Sequence, residues 1–430
     1  MPGEYPVVRV GDVCYVTDGA HAKVDRQPQG VLYLTSKNIG VGQLLLGEVD
    51  YIGEEDYERL FANSSKSQRR LSPGDVLVGI IGTFGNAYLY KNQDHFGMSS
   101  AVALLRPDQS RLEPRFLYYV VTSPIFRGAH SAYKAGSVQG YTNIPTIKEL
   151  PVPIPPLPEQ RAIAHILGTL DDKIELNRQM SETREAIARA LFKSWFVDFD
   201  PVRAKAEGPD AGLPPHLAAL FPDRFEDSEL GEIPAVWDVG SVYQVAEVIY
   251  GAPFRSALFN EEGIGLPLIR IRDLDTHEPK VFTPEEHPKG YRVQPGDLVV
   301  GMDGEFRAHL WHGRESWLNQ RVCCFRAKSD NPRSFVHYSI DEPLRFFEES
   351  KTGTTVIHLG KADIDTFRIV VPPKPVLAAF GQVVSPIDSR LVCGAAESRT
   401  LAALRDALLS KLISGELRVK DAERLAEAHT

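Results

Sequence analysis

The chain has 430 residues, 43% of them hydrophobic and 24% charged, with a formal net charge of −9. That length exceeds one ordinary core and suits two domains with connecting elements, and the composition is that of soluble globular protein. The acidic balance excludes a wholesale electrostatic DNA binder.

The opening residues Met1-Pro2-Gly3-Glu4-Tyr5 lack the basic and apolar segments of an export signal, and no run approaches the length of a membrane span. Cys14, Cys323, Cys324 and Cys393 form no CxxC pair or metal-type cluster. Cys323 and Cys324 are expected as buried thiols on opposite faces of a strand, in a cytoplasmic protein without structural disulfides.

Residues 1–156 are punctuated by Gly and Pro, with strand-like runs at 30–34, 75–78, 87–90 and 101–105. Ser72-Pro73-Gly74-Asp75 fits a type II turn, with Pro fixing φ at its second position and Gly accepting positive φ at its third. From Pro158 to Phe196 the period changes to steps of three and four: Ile163, Leu167, Leu170, Ile174, Asn177, Ala188, Leu191 and Trp195. This is one coiled-coil-like stripe, and a helix so long with a single stripe needs a partner. Asn177 is the polar residue on that stripe, of the kind that fixes register.

Residues 200–235 read as a linker rich in Pro, Gly, Ala and acid, with a few anchoring apolar residues. The first pattern then returns: Ser72-Pro73-Gly74-Asp75-Val76-Leu77-Val78-Gly79 is matched by Gln294-Pro295-Gly296-Asp297-Leu298-Val299-Val300-Gly301. This second β-rich unit spans 236–373, and a second long helix, 374–417, carries Ile387, Leu391, Leu401, Leu404, Leu408 and Leu412 on its stripe. A charged tail, 418–430, follows. Pro155-Pro156 and Pro372-Pro373 mark the start of each helix. Two such helices can lie antiparallel.

About 15 basic and 15 acidic side chains fall in residues 1–156, and about 16 and 20 in residues 236–373. Residues 157–235 hold about 9 and 15, so most of the acid excess lies outside the β-rich units. Those units remain free to present local basic surface.

Catalytic signatures are missing. Gly79-Ile80-Ile81-Gly82-Thr83-Phe84-Gly85 lacks the lysine of a phosphate loop, and no Asn/Asp-Pro-Pro-aromatic tetrad, GxSxG elbow or HExxH occurs. His165, alone on a helix face, is expected to be structural and not a ligand, and the Asp171-Asp172 pair is expected on a solvated polar helix face. The chain itself is expected to hold no catalytic residue, cofactor or metal.

Candidate DNA readers lie where polar residues interleave with strands, since Arg, Lys, Asn and Gln can contact base edges or phosphates. In the first unit they are Lys37 and Asn38, then Arg69 and Arg70, then Lys134, Gln139, Tyr141 and Asn143. In the second they are Arg270 and Arg272, then Arg307 and His309, then Asn319, Gln320 and Arg321, with Thr354 and His358 in a later loop.

Three blocks carry a family resemblance. They are Pro151-Val152-Pro153-Ile154-Pro155-Pro156-Leu157-Pro158-Glu159-Gln160-Arg161; Leu191 through Lys205 with Phe225 through Pro234; and Leu408-Leu409-Ser410-Lys411-Leu412-Ile413-Ser414-Gly415-Glu416-Leu417. In these the chain resembles the specificity subunits of type I restriction-modification systems. The resemblance implies an α+β fold in which two target-recognition domains are joined by two long antiparallel helices.

It further implies that each domain reads half of a bipartite double-stranded DNA site while the helices set the spacing and dock two modification subunits. Those partners would bring S-adenosylmethionine, and two motor-nuclease subunits would bring ATP and Mg. One departure stands out: the second helix opens Lys374-Pro375-Val376-Leu377 where the first has Leu157-Pro158-Glu159-Gln160. A structural spacer that reads no DNA, and a self-sufficient methyltransferase or nuclease, remain the alternatives.

Overall fold

The computed structural model describes residues 5–62, 68–82, 84–134, 142–208, 213–328, 331–350 and 357–422. The chain divides into two compact units, residues 1–174 with 400–430, and residues 175–399.

In the first unit a four-stranded antiparallel sheet runs in the order Cys14–Asp18, Val102–Pro107, Val76–Gly79, Ala87–Leu89. The second unit has the same order with Ala246–Tyr250, Val322–Ala327, Leu298–Gly301 and Ala308–Leu310. Register repeats as well: Val76 pairs with Leu105 and Leu89, and Leu298 with Phe325 and Leu310.

The central strand is apolar at every position because both of its faces are covered. Val76 and Val78 face one core and Leu77 another; Leu298 and Val300 face one and Val299 another. Cys323 and Cys324 divide between cores in the same way, as free buried thiols. A second sheet in each unit is built on a parallel pair, Val31–Leu34 with Phe96–Met98 and Leu266–Ile269 with Ser316–Leu318.

The duplicated turns are as expected. Gly74 and Gly296 have φ of +94° and +96°, and Asp75 and Asp297 donate N–H bonds back to Ser72 and Gln294 at 3.0 Å each. Each Asp carboxylate accepts the N–H of the turn's first residue, at 2.7 and 2.8 Å.

The long helices are Leu157–Phe196 and Lys374–Ser414, each about 60 Å long at ~1.5 Å per residue. Each contributes one part to each unit. In the first unit they run antiparallel, because Glu159 faces Arg418 at 3.5 Å while Asp171 faces Arg405 at 2.7 Å. Ile163, Leu167, Leu170, Leu401, Leu408 and Leu412 are buried there in the core that also holds Val76.

In the second unit Asn177 Nδ2 donates to Glu397 at 2.8 Å and to Ser398 at 3.4 Å. Further along, Trp195 and Phe196 pack against Phe380, with ring centroids 5.9 and 5.0 Å apart. Low numbers on one helix again meet high numbers on the other.

Four expectations need correction. The second long helix is in fact long and apolar enough to cross a membrane, by length and composition alone. Core packing accounts for that apolarity, since Leu391, Leu401, Leu408 and Leu412 are buried within their own units. Residues 200–235, read as a linker, carry helices Asp200–Glu207 and Pro215–Ala218 and the hairpin Phe225–Ser228/Gly231–Pro234. Val202, Phe221 and Ile233 anchor them in the core of the second unit.

Asp171 is not merely solvated, for it accepts the Tyr119 hydroxyl at 2.6 Å as well as Arg405. Asp172 is held by Arg115 at 2.6 Å. The sequence-stretch Pro114–Thr122 and Pro124–Lys134, and Arg333–Ser350 in the second unit, are helical.

The departure between the helix starts has a physical cause. Gln160 is fully buried; its amide donates to the carbonyls of Arg111 and Pro155 at 2.9 and 2.8 Å and accepts the Glu113 N–H at 2.9 Å. At the corresponding place Leu377 is buried in an apolar core. One start is stapled by hydrogen bonds and the other by packing. Gln160→Ala leaves three backbone groups without that partner and should cost about 2–4 kcal/mol. Denaturant unfolding followed by amide hydrogen exchange in the first unit checks this; unchanged protection would remove the staple.

Candidate nucleic-acid interface

After the strand Val31–Leu34 the first unit makes one 3₁₀ turn, Ser36–Asn38, and after Leu266–Ile269 the second makes Ile271–Asp273. Both turns are closed by their last residue. Asn38 Oδ1 accepts the Thr35 N–H and hydroxyl, each at 3.0 Å, while Nδ2 donates to the carbonyls of Leu45 and Glu48 at 3.0 and 2.8 Å. Asp273 accepts the Arg270 N–H at 2.9 Å and its Nε at 3.2 Å.

Asn38 is 2% exposed and all its bonding capacity is used. It fixes the loop and has nothing left for a base edge. Arg270 is likewise tied at Nε into its turn.

An open cleft of about 420 Å³ lies beside the first of these turns. Thr35, Ser36, Lys37, Ile39, Ile81, Gly82, Asn86 and Ala101 line it. Ser36 donates to the Ile81 carbonyl at 2.6 Å, which ties turn and rim together. Lys37 is exposed and 3.3 Å from Glu48.

Backbone hydrogen bonds identify the matching place in the second unit. The Ile80 N–H donates to Ala101 O and the Met302 N–H to Arg321 O, at 3.0 and 2.9 Å. Ile80 O accepts from Thr142, and Met302 O from Leu359, at 3.2 and 2.8 Å. Ile81 therefore corresponds to Asp303, Ala101 to Arg321 and Lys37 to Arg272. The same scaffold presents an apolar rim in one unit and an ionic rim in the other: Asp303 accepts from Arg321 Nη1 and from His358 Nδ1, each at 2.8 Å.

The remaining sequence candidates scatter. Arg69 bonds the Asp18 carbonyl at 3.0 Å, and Arg70 is bidentate to Glu58 at 2.9 and 2.8 Å. Asn143 caps the helix Ile144–Glu149 by accepting the Thr146 N–H at 2.9 Å. Arg307 lies 3.1 Å from Glu305, both exposed.

Asn319 accepts the Arg321 N–H at 3.3 Å, and Gln320 and Arg272 are exposed. Lys134 ends a helix, while Gln139, Tyr141 and Thr354 lie outside the described residues. Sequence reasoning missed Ile81, Ala101 and Asp303; aligning the two turn-strand repeats one strand further would have paired Ile81 with Asp303.

Comparison with known proteins bears on this duplicated, unlike pair of rims. The profile of the type I restriction modification DNA specificity domain matches residues 2–184 and 234–386. The chain belongs to that family. It is 25% identical to the HindI specificity subunit of Haemophilus influenzae, covering 82% of this chain and 88% of the relative. It is 27% identical to the MjaIX specificity subunit of Methanocaldococcus jannaschii, covering 71% and 69%. The crystal structure of a type I system S subunit from M. genitalium shares the fold, with a TM-score of 0.53 at 14% identity over 95% and 96% of the two chains.

In this specificity-subunit chain His309 is not a free reader. It is half-buried, 3.9 Å from Asp275, and its ring lies 6.4 Å from that of His277. His277 is 4.9 Å from the His312 ring and 5.3 Å from Trp311, and its Nδ1 accepts the His312 N–H at 3.3 Å. Arg399, on the second long helix, donates to the His312 carbonyl.

Burial, reinforced by the neighbouring histidines and Arg399, lowers His277 to about 3. Burial and Arg399 lower His312 to about 4, and burial also lowers His309. Among the described residues no group of three His, Cys, Asp or Glu is arranged to hold a metal ion.

A histidine lowered on folding binds fewer protons in the folded state than in the unfolded one. Its contribution is intact above the unfolded value of 6.5 and is lost as pH falls toward the folded values near 3 and 4. Each such histidine should cut the folded-to-unfolded ratio by about tenfold per pH unit within that window. Hydrogen exchange in the second unit between about pH 7 and about pH 5, the range of histidine titration, checks this, and His277→Gln should flatten the dependence.

Proposed function

We propose that this chain is the DNA-reading subunit of a type I restriction-modification complex, in which each domain reads one half of a bipartite double-stranded site. The observation that carries this is the repeated corner: one backbone scaffold, held by the same backbone hydrogen bonds, with Lys37, Ile81 and Ala101 in one copy and Arg272, Asp303 and Arg321 in the other. A common scaffold with unlike rims suits the recognition of two different sequences, because phosphate contacts position a protein and base-edge contacts specify.

The long helices carry the second part of the proposal. They fix the gap between half-sites and give two modification subunits a place to dock. S-adenosylmethionine would be held by those partners, and ATP and Mg by two restriction subunits, with the whole assembly in the cytoplasm. The acidic balance of the chain supports such a division, since partners would then supply much of the phosphate neutralisation.

Replacing residues 236–373 with the corresponding domain of another family member should change one half of the methylated sequence and leave the other intact. Methylation-aware sequencing of DNA from cells carrying the chain and its modification partner reads this out. A change in both halves would defeat the modular reading, and no change in either would make the chain a spacer. Inserting four residues (~one helical turn) in both long helices should alter the gap alone.

A further inference from the structure

We propose that Arg321 reads a guanine, so that the half-site of the second unit contains a guanine recognised through its O6 and N7 edge. This rests on the DNA-reading function proposed above and adds the residue and the base. Arginine places two N–H donors against the two major-groove acceptors of guanine, a pairing the other bases do not offer. For that purpose the guanidinium must be exposed, held in direction, and left with a free pair of donors.

Arg321 meets all three conditions. Its side chain is 57% exposed, while that of its partner Asp303 is 19% exposed. Nη1 is anchored on Asp303 Oδ2 at 2.8 Å, and Nε and Nη2 carry no partner among the described residues. Asp303 is itself fixed, because its other oxygen accepts from His358 Nδ1 at 2.8 Å and its backbone is bridged to His358. The carbonyl of Arg321 is held by the Met302 N–H at 2.9 Å, so the residue is fixed at its backbone as well as near its tip.

Among the arginines near this rim or clamped by carboxylates, Arg70, Arg292, Arg307 and Arg272 each fail one condition. Arg70 has both terminal nitrogens on Glu58. Arg292 is shared between Glu286 and Glu315 and lies over Trp317. Arg307 pairs with Glu305, which is itself exposed, and so lacks a buried anchor. Arg272 is exposed with no anchor at all among the described residues.

The carboxylate also argues against a phosphate role for Arg321. Pairing with Asp303 cancels much of the charge that would attract a phosphate but leaves the donor geometry that a neutral base edge requires. The first unit makes the contrast plain. Ala101 occupies the place of Arg321 and Ile81, 58% exposed, the place of Asp303, so that rim has no guanidinium to offer.

The test uses the full chain assembled with its modification partner. The half-site of the second unit is the one that changes when residues 236–373 are exchanged. On duplexes in which each guanine of that half is replaced in turn by its N7-deaza analogue, one replacement should weaken binding about 5- to 150-fold (about 1–3 kcal/mol) for the wild-type complex. The same replacement should have no effect on the Arg321→Ala complex, whose methylated sequence should be relaxed at that position and unchanged in the other half.

Arg321→Lys, which retains charge but not the fork, should behave like Arg321→Ala and serves where the alanine variant does not fold. A half-site without guanine overturns the assignment. So does a deaza penalty that persists in both variants, or a uniform loss of affinity across all sequences. A wild-type complex that methylates no bipartite site at all would instead overturn the DNA-reading function on which the assignment rests.

Discussion

Everything in this structure depends on the need of two forty-residue helices, each with one apolar stripe, to be covered. Alone in water neither would be stable, since most helical stability in proteins comes from packing an amphipathic face. Here each helix is divided between two cores. Leu167 and Leu170 share the first unit's core with Leu408 and Leu412, and Trp195 shares the second unit's core with Phe380. The helices are therefore structural layers of both units as well as connections, and a change in their register would disturb both cores. Asn177 sharpens that constraint. Its amide reaches Glu397 and Ser398 only in one alignment of the two stripes, and a shift would leave it buried without them.

The sheets impose a second constraint, which separates scaffold from information. A strand such as Val76–Gly79 or Leu298–Gly301 is covered on both faces, so its side chains must be apolar and closely fitted in either copy. The turn before it is equally fixed by Gly and Asp. Beyond the end of the strand these demands stop. Ile81 and Asp303 stand at equivalent places just past the glycine, and Ala101 and Arg321 at equivalent places before the partner strand, with opposite chemistry. The fold tolerates the difference because the hydrogen bonds that both corners share are made by backbone groups.

This separation explains what could be read in the sequence. The repeat, the type II turns, the helix stripes and the partnered Asn177 are local patterns, and each has a direct backbone or packing cause. Polar side chains do not announce their direction. Asn38, Asn143 and Arg70 had the composition of DNA readers, yet one closes a 3₁₀ turn, one caps a helix and one is clamped by Glu58. Asp171 and Asp172 had the pattern of a solvated face, but Tyr119, Arg115 and Arg405 approach from segments distant in sequence. Ile81 and Ala101 each read in sequence as one more core residue, and only the alignment of the two repeats, carried past Gly79 and Gly301, sets Ile81 beside Asp303. Residues 200–235 looked like a linker because their few aromatic and branched anchors are widely spaced among Pro and Gly.

The charge balance gains meaning from the same geometry. A protein that gripped DNA mainly through phosphates would leave its arginines unpaired, whereas many here have carboxylate partners: Arg70 with Glu58, Arg106 with Asp75, Arg292 with Glu286 and Arg321 with Asp303. Some of these pairs are internal braces, as with Arg106, which is bidentate to the turn residue Asp75 at 2.7 and 2.6 Å. At a rim, the same pairing lowers non-specific attraction while holding a donor in one direction. Affinity from phosphate neutralisation is largely independent of sequence, and a subunit whose task is discrimination gains from keeping that contribution small. A net charge of −9 on a DNA specificity chain is then no contradiction. Under the proposed function it fits an arrangement in which other subunits supply the electrostatic grip and this one the direction.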